Sequence, residues 1–375
     1  MSETFATPLA GVDKLPPMVV SSEFRIGLVI PRSGSAGIYG PSCKYCAELA
    51  VAEINEKGGF GGRRLSLVQI DGGQHPRAVS DVVQSLLAAG SLDAIVGVHD
   101  SNVRQAVKRL TLGQIPYIYA GNYEGESRAK DVLSIGLTIA QQIAGSLPWL
   151  AENRGLRDWF FIGNDSGWPR TVERDLRTFA EQSGLRLVGT EYVPMGSENF
   201  SHCLRALHET SPDAVFALLV GTDAVTFSRQ FSRRNLDRNI ARFMPLFEEN
   251  SMFAVSPSIG EGIYTAGIFF ADIKASGELD FMQRYELRFG ENAPQLNGFA
   301  VACYESITLL SELFGVTGGR TPSDGIAAYE GLEFPVVHGR SRIEQGHAVR
   351  DVLLAEGKDS ILRIVATFPQ VSPAG

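Results

Sequence analysis

Cysteine is scarce in this chain, which contains four in 375 residues. These are Cys43, Cys46, Cys203 and Cys303, which are too few and too scattered for a disulfide framework. Cys43 and Cys46 have the spacing of a redox or metal pair, but no second pair or nearby histidine completes a zinc site. We therefore expect no metal site, and interpret this pair as small helix residues packed against a sheet.

Basic charge and long apolar runs are also lacking. With 34 Lys and Arg against 42 Asp and Glu, the net charge is −8, so nucleic acid is not an expected partner. No stretch approaches the roughly 18 consecutive apolar residues of a membrane span, so no membrane insertion is expected. Residues 1–23 show no secretory signal, which predicts a cytoplasmic protein if Met1 is the true start. The same residues are predicted to form a poorly ordered N-terminal extension. The alternative location is the periplasm.

The usual catalytic motifs are missing as well. The chain contains no G-x-S-x-G elbow, Walker loop or H-E-x-x-H helix. His99, Asp100 and Ser101 are triad residue types, but neighbours in a chain point in different directions and cannot form a triad alone. We expect no catalytic residue and no cofactor. An NAD-dependent oxidoreductase is a weaker alternative, because the glycines at positions 34, 37 and 40 form G-x-x-G-x-x-G instead of G-x-G-x-x-G.

The chain does contain a repeated alternation of apolar strands and helical patterns. Apolar runs at 24–30 and 65–70 flank a helical segment, which predicts a βαβ unit, and the alternation starts again near residue 159. We therefore predict an α/β fold of two doubly wound parallel-sheet lobes joined by a multi-strand hinge. Two later helices, at 277–289 and 298–314, are predicted to return and cover these sheets. The expected boundaries are 1–23 for the extension, 24–137 plus 272–330 for lobe 1, and 138–271 plus 331–375 for lobe 2.

Parallel strands are buried on both faces, so binding groups are expected in the loops at their carboxyl ends. Ser101 is predicted to cap a helix, where its hydroxyl and the free N–H groups could also hold a carbonyl or carboxylate oxygen. Trp168 could form a flat wall of a pocket or simply pack into the second lobe. Glu248 and Glu249 follow a strand, where one of them could accept a ligand N–H group or both could be solvated surface charges.

Three segments resemble a known family, the type I solute-binding proteins of the branched-chain amino-acid-binding class. Residues 46–71 contain CAELAVAEINEKGGFGGRRLSLVQID, similar to the family form that ends in I-N-x-x-G-G-x-x-G-R. Residues 119–127 are YAGNYEGES and residues 162–170 are IGNDSGWPR. They are similar to Y-P-x-x-Y-E-G and I-G-S-D-Y-x-[YF]-P-R of the amide- and urea-binding branch, which includes the cytoplasmic amide sensor of the aliphatic amidase operon.

The resemblance implies two lobes that close over a small ligand without making or breaking a bond. The branch has an aromatic residue where Ser166 stands and a hydroxyl residue where Gly121 stands, and both departures imply a roomier pocket. Carried over by position, the implied ligand contacts are His99, Ser101, Tyr119, Gly121, Asn122, Ser166, Trp168 and Glu248.

The resemblance implies a non-catalytic ligand-binding protein, and the absence of a secretory signal favours a cytoplasmic ligand sensor. Its ligand would be a small polar molecule such as an amide, a urea-like compound or an amino-acid derivative, and its partner a regulator protein. The alternative is the substrate-binding component of an ABC transporter, whose partner would be a permease. A homodimer is a further expected arrangement.

Overall fold

The computed structural model describes residues 23–125, 132–272, 276–317 and 329–373. The extension predicted at 1–23 therefore lies outside the described residues, except for Glu23. The first sheet contains strands β1 (Glu23–Ile30), β2 (Arg64–Asp71), β3 (Ala94–Gly97), β4 (Tyr117–Tyr119) and β5 (Val132–Ser134). All are parallel, in the order β2-β1-β3-β4-β5.

Successive residues of β3 show how this sheet is covered on both faces. Ala94 and Val96 pack into one apolar cluster, and Ile95 between them packs into another. Because side chains alternate along a strand, the two clusters lie on opposite faces of the sheet. The helices of this half are α1 (Gly40–Glu56), α2 (Pro76–Ala88), α3 (Ser101–Thr111), α10 (Ser276–Phe289) and α11 (Gly298–Thr317).

The second half repeats the same alternation. Its strands are β6 (Asp158–Asn164), β7 (Arg186–Val193), β8 (Ala214–Leu218), β9 (Ala241–Phe243) and β10 (Ile263–Gly267), all parallel in the order β10-β9-β8-β6-β7. Every residue of β8 is buried, as expected for a central strand. The helices are α4 (Ile139–Arg154), α5 (Gly167–Gln182), α6 (Ser201–Thr210), α7 (Thr222–Arg233), α8 (Glu249–Phe253) and α9 (Pro257–Gly260).

One long strand, β13 (His347–Lys358), belongs to both halves. Its first residue pairs with Ser134 at the end of β5, and residues further along it pair antiparallel with β10. Strands β11 (Glu333–Val336) and β12 (Gly339–Glu344) join its beginning, while β14 (Ile361–Val371) pairs along most of its length. The hydrogen-bonded path from one sheet to the other therefore runs through this single shared strand.

The structure confirms the predicted α/β class, with two parallel-rich halves that β13 joins into one continuous 14-stranded sheet. Helices α10 and α11 pack against α1, as expected for two helices that cannot form a sheet layer of their own. The sequence prediction missed β12 and β13, and it had only two extended segments after residue 331 where the structure has four strands. No helix among the described residues has the length and apolar composition needed to cross a membrane.

Candidate ligand-binding site

A cavity of about 200 Å³ lies between the two halves, at the carboxyl ends of their strands. The loops after β1, β3 and β4 line it from the first half, and those after β6 and β8 line it from the second. This is the position at which parallel α/β sheets bind ligands. The cavity lining includes seven of the eight predicted contacts, namely His99, Ser101, Tyr119, Gly121, Asn122, Ser166 and Trp168.

Glu248, the eighth predicted contact, does not line the cavity. It is buried, and its carboxylate accepts a hydrogen bond of 2.7 Å from the backbone N–H of Gly298 at the start of α11. Its neighbour Glu249 is also buried and accepts from the N–H of Ala271 at 2.9 Å. The structure therefore uses both carboxylates in contacts between segments and leaves neither as a solvated surface charge.

The imidazole ring of His99 is neutral, and both of its nitrogens form hydrogen bonds. Its Nδ1 lies 3.2 Å from the carbonyl oxygen of Asp100, which can only accept, so Nδ1 donates. Its Nε2 must then accept from the hydroxyl of Tyr117 at 2.9 Å. Burial lowers the pKa of His99 to about 3. The ring therefore contributes a neutral surface to the cavity and no proton for acid–base chemistry at neutral pH.

Tyr119 explains the glycine at position 121. The Tyr119 hydroxyl donates to the carbonyl oxygen of His99 at 2.6 Å. A Cβ atom on Gly121 would lie only 2.6 Å from this hydroxyl oxygen. The expectation that Gly121 enlarges the pocket is therefore wrong, because the tyrosine occupies the space that a side chain would take. Asn122 is similarly engaged, since its Oδ1 accepts from the N–H of Leu137 at 3.1 Å.

The first turn of α3 points its N–H groups toward the cavity. Asp100 is the N-cap and accepts from the N–H of Val103 at 2.8 Å, so the predicted capping role of Ser101 is wrong. The Ser101 hydroxyl instead donates to Glu124 at 2.8 Å. The backbone N–H groups of Ser101 and Asn102 have no acceptor among the described residues. These two N–H groups are therefore available to a ligand oxygen.

Aromatic residues from both halves form a further wall of the cavity. Trp168 is half-buried, and its indole Nε1–H is buried without an acceptor among the described residues. The rings of Tyr39 and Phe299, both in the lining, pack with their centroids 5.0 Å apart. Ser166 is the N-cap of α5, but its hydroxyl accepts no hydrogen bond from the backbone N–H groups of that helix. This wall offers flat apolar surface with a few donors.

The cavity lining carries almost no formal charge. Among the described lining residues there is no Lys or Arg, and Asp100 is the only carboxylate. The nearby Asp223 is buried and accepts from Ser35 at 2.8 Å, from Asn164 at 2.7 Å and from the N–H of Gly196 at 2.8 Å. A ligand would therefore meet dipoles instead of a full positive charge.

Direct contacts hold the two halves together around the cavity. The hydrogen bond from Ser35 to Asp223 joins the loop after β1 to the start of α7, and the Tyr39 hydroxyl donates to the carbonyl oxygen of Leu246 at 2.8 Å. Gly221 has φ +50°, and a Cβ atom there would lie 2.0 Å from the carbonyl oxygen of Ser35. Only glycine allows this approach, so the loops after β1 and β8 are in direct contact beside the cavity.

Several residues in the lining or beside it were not individually predicted. Ser35, Asn164 and Asp223 lie within loops that the strand ends indicated, but nothing in the sequence pairs them across the cavity. Phe299 gave no signal at all, because it lies in an apolar helix pattern that is typical of core residues. Only the return of α11 beside the cavity identifies it.

A family model described as periplasmic binding protein matches residues 23–360 of the chain. The chain belongs to the periplasmic binding protein family. Leu/Ile/Val-binding protein homolog 7 of Brucella suis is 24% identical over 222 residues, covering 56% of this chain and 55% of that relative, about half its length. Leu/Ile/Val-binding protein homolog 8 of Brucella abortus is 23% identical over 345 residues, covering 84% of this chain and 81% of that relative.

Solved structures share the fold of this periplasmic binding protein at low identity. A solute-binding protein of an ABC transporter from Rhodopseudomonas palustris HaA2, in complex with p-hydroxybenzoic acid, has a TM-score of 0.84. It is 18% identical, with 94% of this chain and 98% of that chain covered. A branched-chain amino acid transporter substrate-binding protein from Streptococcus pneumoniae, in complex with isoleucine, has a TM-score of 0.79 at 18% identity and coverages of 92% and 99%. The resemblance to the amide-sensor branch is not confirmed.

Proposed function

We propose that this protein is the substrate-binding component of an ABC transporter, which binds a small molecule without changing it chemically. The observation that carries the proposal is the cavity between two similar α/β halves, lined by loops from both. A ligand that touches both halves stabilises the closed conformation over the open one. The relatives support the transport role over the cytoplasmic sensor, because their names refer to solute binding and ABC transport.

The proposed partner is therefore a permease, and the proposed location is the periplasm. Binding proteins with these roles meet their permease outside the inner membrane, whereas a cytoplasmic sensor would meet a regulator protein. The proposed lobes are 24–137 plus 272–330 and 138–271 plus 331–375. The pairing of β11 and β12 with the start of β13 supports moving 333–344 to the first lobe.

The proposed ligand is a flat, largely apolar molecule with one carbonyl or carboxylate oxygen. The free N–H groups of Ser101 and Asn102 and the unpaired indole N–H of Trp168 supply donors for that oxygen. The rings of Tyr39 and Phe299 supply the apolar surface. A full α-amino acid is less well supported, because the lining offers its ammonium group one carboxylate, Asp100, which already caps α3.

Matched pairs of compounds test this ligand class. Isothermal titration would compare benzoate with benzamide, 4-hydroxybenzoate with 4-hydroxybenzamide, and both pairs with isoleucine and urea. We expect an aromatic acid or amide to bind and to be recovered unchanged from the protein. Release of a modified product would contradict the non-catalytic proposal, and binding of isoleucine alone would contradict the ligand class.

Trp168 provides the site-specific variant. Trp168→Ala removes both the flat wall and the free indole donor, so we expect ligand affinity to fall by at least about tenfold. Trp149→Ala is the matched control, because Trp149 lies on α4 outside the cavity lining. Equal affinities for the two variants would contradict the proposed site.

The transport role has its own test in the native host. Deletion of the gene should abolish uptake of the labelled ligand, and uptake should return when the wild-type gene is restored but not when Trp168→Ala is supplied. Unchanged uptake combined with loss of a ligand-dependent transcriptional response would instead favour the sensor.

A further inference from the structure

A second cluster of ligand-type side chains lies away from the cavity, on the outer edge of the second sheet. Glu191 is on β7, the last strand of that sheet, and His202 and Cys203 are in the first turn of α6. One side-chain donor atom from each residue lies within 4.8 Å of the other two. None of the three lines the cavity, and the binding function described above uses none of them.

The spacing of the three donor atoms is compatible with a tetrahedral zinc site. Zinc binds imidazole nitrogen and carboxylate oxygen at about 2.0–2.2 Å, so two such ligands at the tetrahedral angle are about 3.4 Å apart. The Nδ1 of His202 and Oε2 of Glu191 are 3.2 Å apart. Thiolate sulfur binds zinc at about 2.3 Å and would be about 3.6 Å from either atom, which the observed spread allows.

The three residues also differ in depth in a way that suits an inserted ion. His202 is exposed and gives an ion access from solvent, Glu191 is half-buried, and Cys203 is buried at the base of the cluster. The position of Cys203 in the first turn of α6 places the partial positive charge of the helix N-terminus beside its sulfur. A metal ion would strengthen this stabilisation of the thiolate.

Without a metal ion, the thiol of Cys203 is expected to be unreactive. Burial, followed by the negative charge of Glu191, raises the pKa of Cys203 to about 11. An entering cation would replace the thiol proton and also neutralise Glu191. The alternative is that Cys203 is only a core residue and that His202 only pairs with Glu191.

We infer that Glu191, His202 and Cys203 form a zinc site, with a water molecule as the fourth ligand. The mixed carboxylate, imidazole and thiolate set favours Zn²⁺ over Ca²⁺ or Mg²⁺, which prefer oxygen ligands alone. The ion would tie the start of α6 to the edge strand β7. Because it binds only the folded chain, it would also raise the thermal midpoint of unfolding.

Titration of the untagged full-length protein with Zn²⁺ tests the site. We expect one equivalent to bind with a Kd of about 10 μM or tighter. Cys203→Ser and His202→Ala should each weaken binding by at least about tenfold. His208→Ala is the matched control, because His208 is an exposed histidine in the last turn of the same helix and lies outside the cluster. It should bind zinc like the wild type.

Cobalt provides a readout that identifies the thiolate. Co²⁺ bound by Cys203 should give a sulfur-to-metal charge-transfer absorption that disappears in Cys203→Ser and persists in His208→Ala. His202→Ala changes an exposed residue, so it tests the site even if Cys203→Ser impairs folding. Absence of binding up to about 1 mM Zn²⁺, or unchanged affinity in either Cys203→Ser or His202→Ala, would overturn the inference.

Discussion

Gly121 shows how a single missing side chain fixes the shape of the cavity. Gly121→Ser would push the Tyr119 hydroxyl away and break its hydrogen bond to the carbonyl oxygen of His99. We expect the free energy of unfolding to fall by about 1–3 kcal/mol, since overpacking forces neighbours to shift. Ligand affinity should fall at the same time, because both residues line the cavity.

Denaturant unfolding and ligand titration would measure these two effects. Gly167→Ala is the matched control, because a Cβ atom at Gly167 meets nothing within 4 Å and this glycine also lies near the cavity, at the start of α5. Wild-type stability in Gly121→Ser would show that Tyr119 moves at no cost.

Other single residues show where sequence reasoning stops. Ser101 lies in the cavity lining, but its hydroxyl bonds to Glu124, 23 positions away, and leaves the cap to Asp100. Glu248 was predicted to follow a strand directly, but β9 ends at Phe243, Glu248 is the N-cap of α8, and its partner is Gly298, 50 positions away. Strand ends are local properties and could be predicted, whereas the orientation of a side chain depends on distant partners.

At the scale of elements, the start of α4 is held by a pair of reciprocal capping bonds. Thr138 is the N-cap, its hydroxyl accepts from the N–H of Gln141 at 3.1 Å, and the Gln141 side chain accepts from the N–H of Thr138 at 2.9 Å. Thr138→Ala should lower the free energy of unfolding by about 1 kcal/mol, because it leaves a helix donor unpaired.

Denaturant unfolding would measure this loss as well. Ser256→Ala is the control, because Ser256 is the N-cap of α9 without a side-chain capping bond. Equal losses in the two variants would show that the reciprocal bonds of α4 contribute nothing measurable.

Strand β13 was not predicted from the sequence. Its residues include Arg350, which is buried and donates to Glu305 of α11 at 2.7 Å, with side-chain exposures of 1% and 0%. Charged residues within a short apolar run are typical of a surface or loop segment, so the sequence did not identify this segment as a buried strand. The sequence could not show that a carboxylate 45 positions earlier would neutralise it.

Glu305→Gln tests the contribution of this pair. The variant leaves the Arg350 charge buried and uncompensated, so we expect the free energy of unfolding to be about 3 kcal/mol lower than in the wild type. Glu333→Gln is the control, because its salt bridge to Arg340 is exposed at 59% and 63% and should contribute less than about 1 kcal/mol. Chemical denaturation would compare them, and a loss of similar size in both would contradict the argument.

At the scale of the whole molecule, the two-lobed plan was predictable because it is repeated in the sequence. Each βαβ unit has its own apolar periodicity, and the second series of units repeats the first. The arrangement of the two halves around the cavity was not predictable in detail, since it depends on contacts such as the hydrogen bond between Ser35 and Asp223, which are 188 positions apart. The resemblance to known proteins supplied the expectation of closure, and the structure supplied the contacts.

Two adjacent carboxylates are buried where the two halves meet. Glu248 bonds to Gly298 of the opposite half, and burial raises the pKa of Glu248 to about 7. Burial, followed by the charge of Glu248, raises the pKa of Glu249 as well. Tyr39 and Cys43 are the titratable groups of the first half whose pKa values respond to Glu248, and burial raises both of these pKa values. Both are therefore neutral at physiological pH, and neither compensates the carboxylates.

Ligand binding should therefore depend on pH. In an open conformation, water would reach both carboxylates and return them toward the ordinary pKa of about 4.3, so the closed state binds more protons between about pH 4.3 and 7. Below this window both states are protonated and closure carries no penalty, and as pH rises through it the closed state loses stability. We expect Kd to increase by up to about tenfold per pH unit for each coupled proton.

Calorimetric titrations across this range, with a ligand that does not itself ionise, would measure the effect. Glu248→Gln removes one titrating group and lowers the pKa of Glu249, so the slope should flatten, and Glu248→Gln combined with Glu249→Gln should abolish it. Glu152→Gln, an exposed position on α4, is the control and should keep the wild-type slope. A wild-type affinity that stays constant from acid to neutral pH would mean that the closed conformation binds its ligand with both carboxylates ionised.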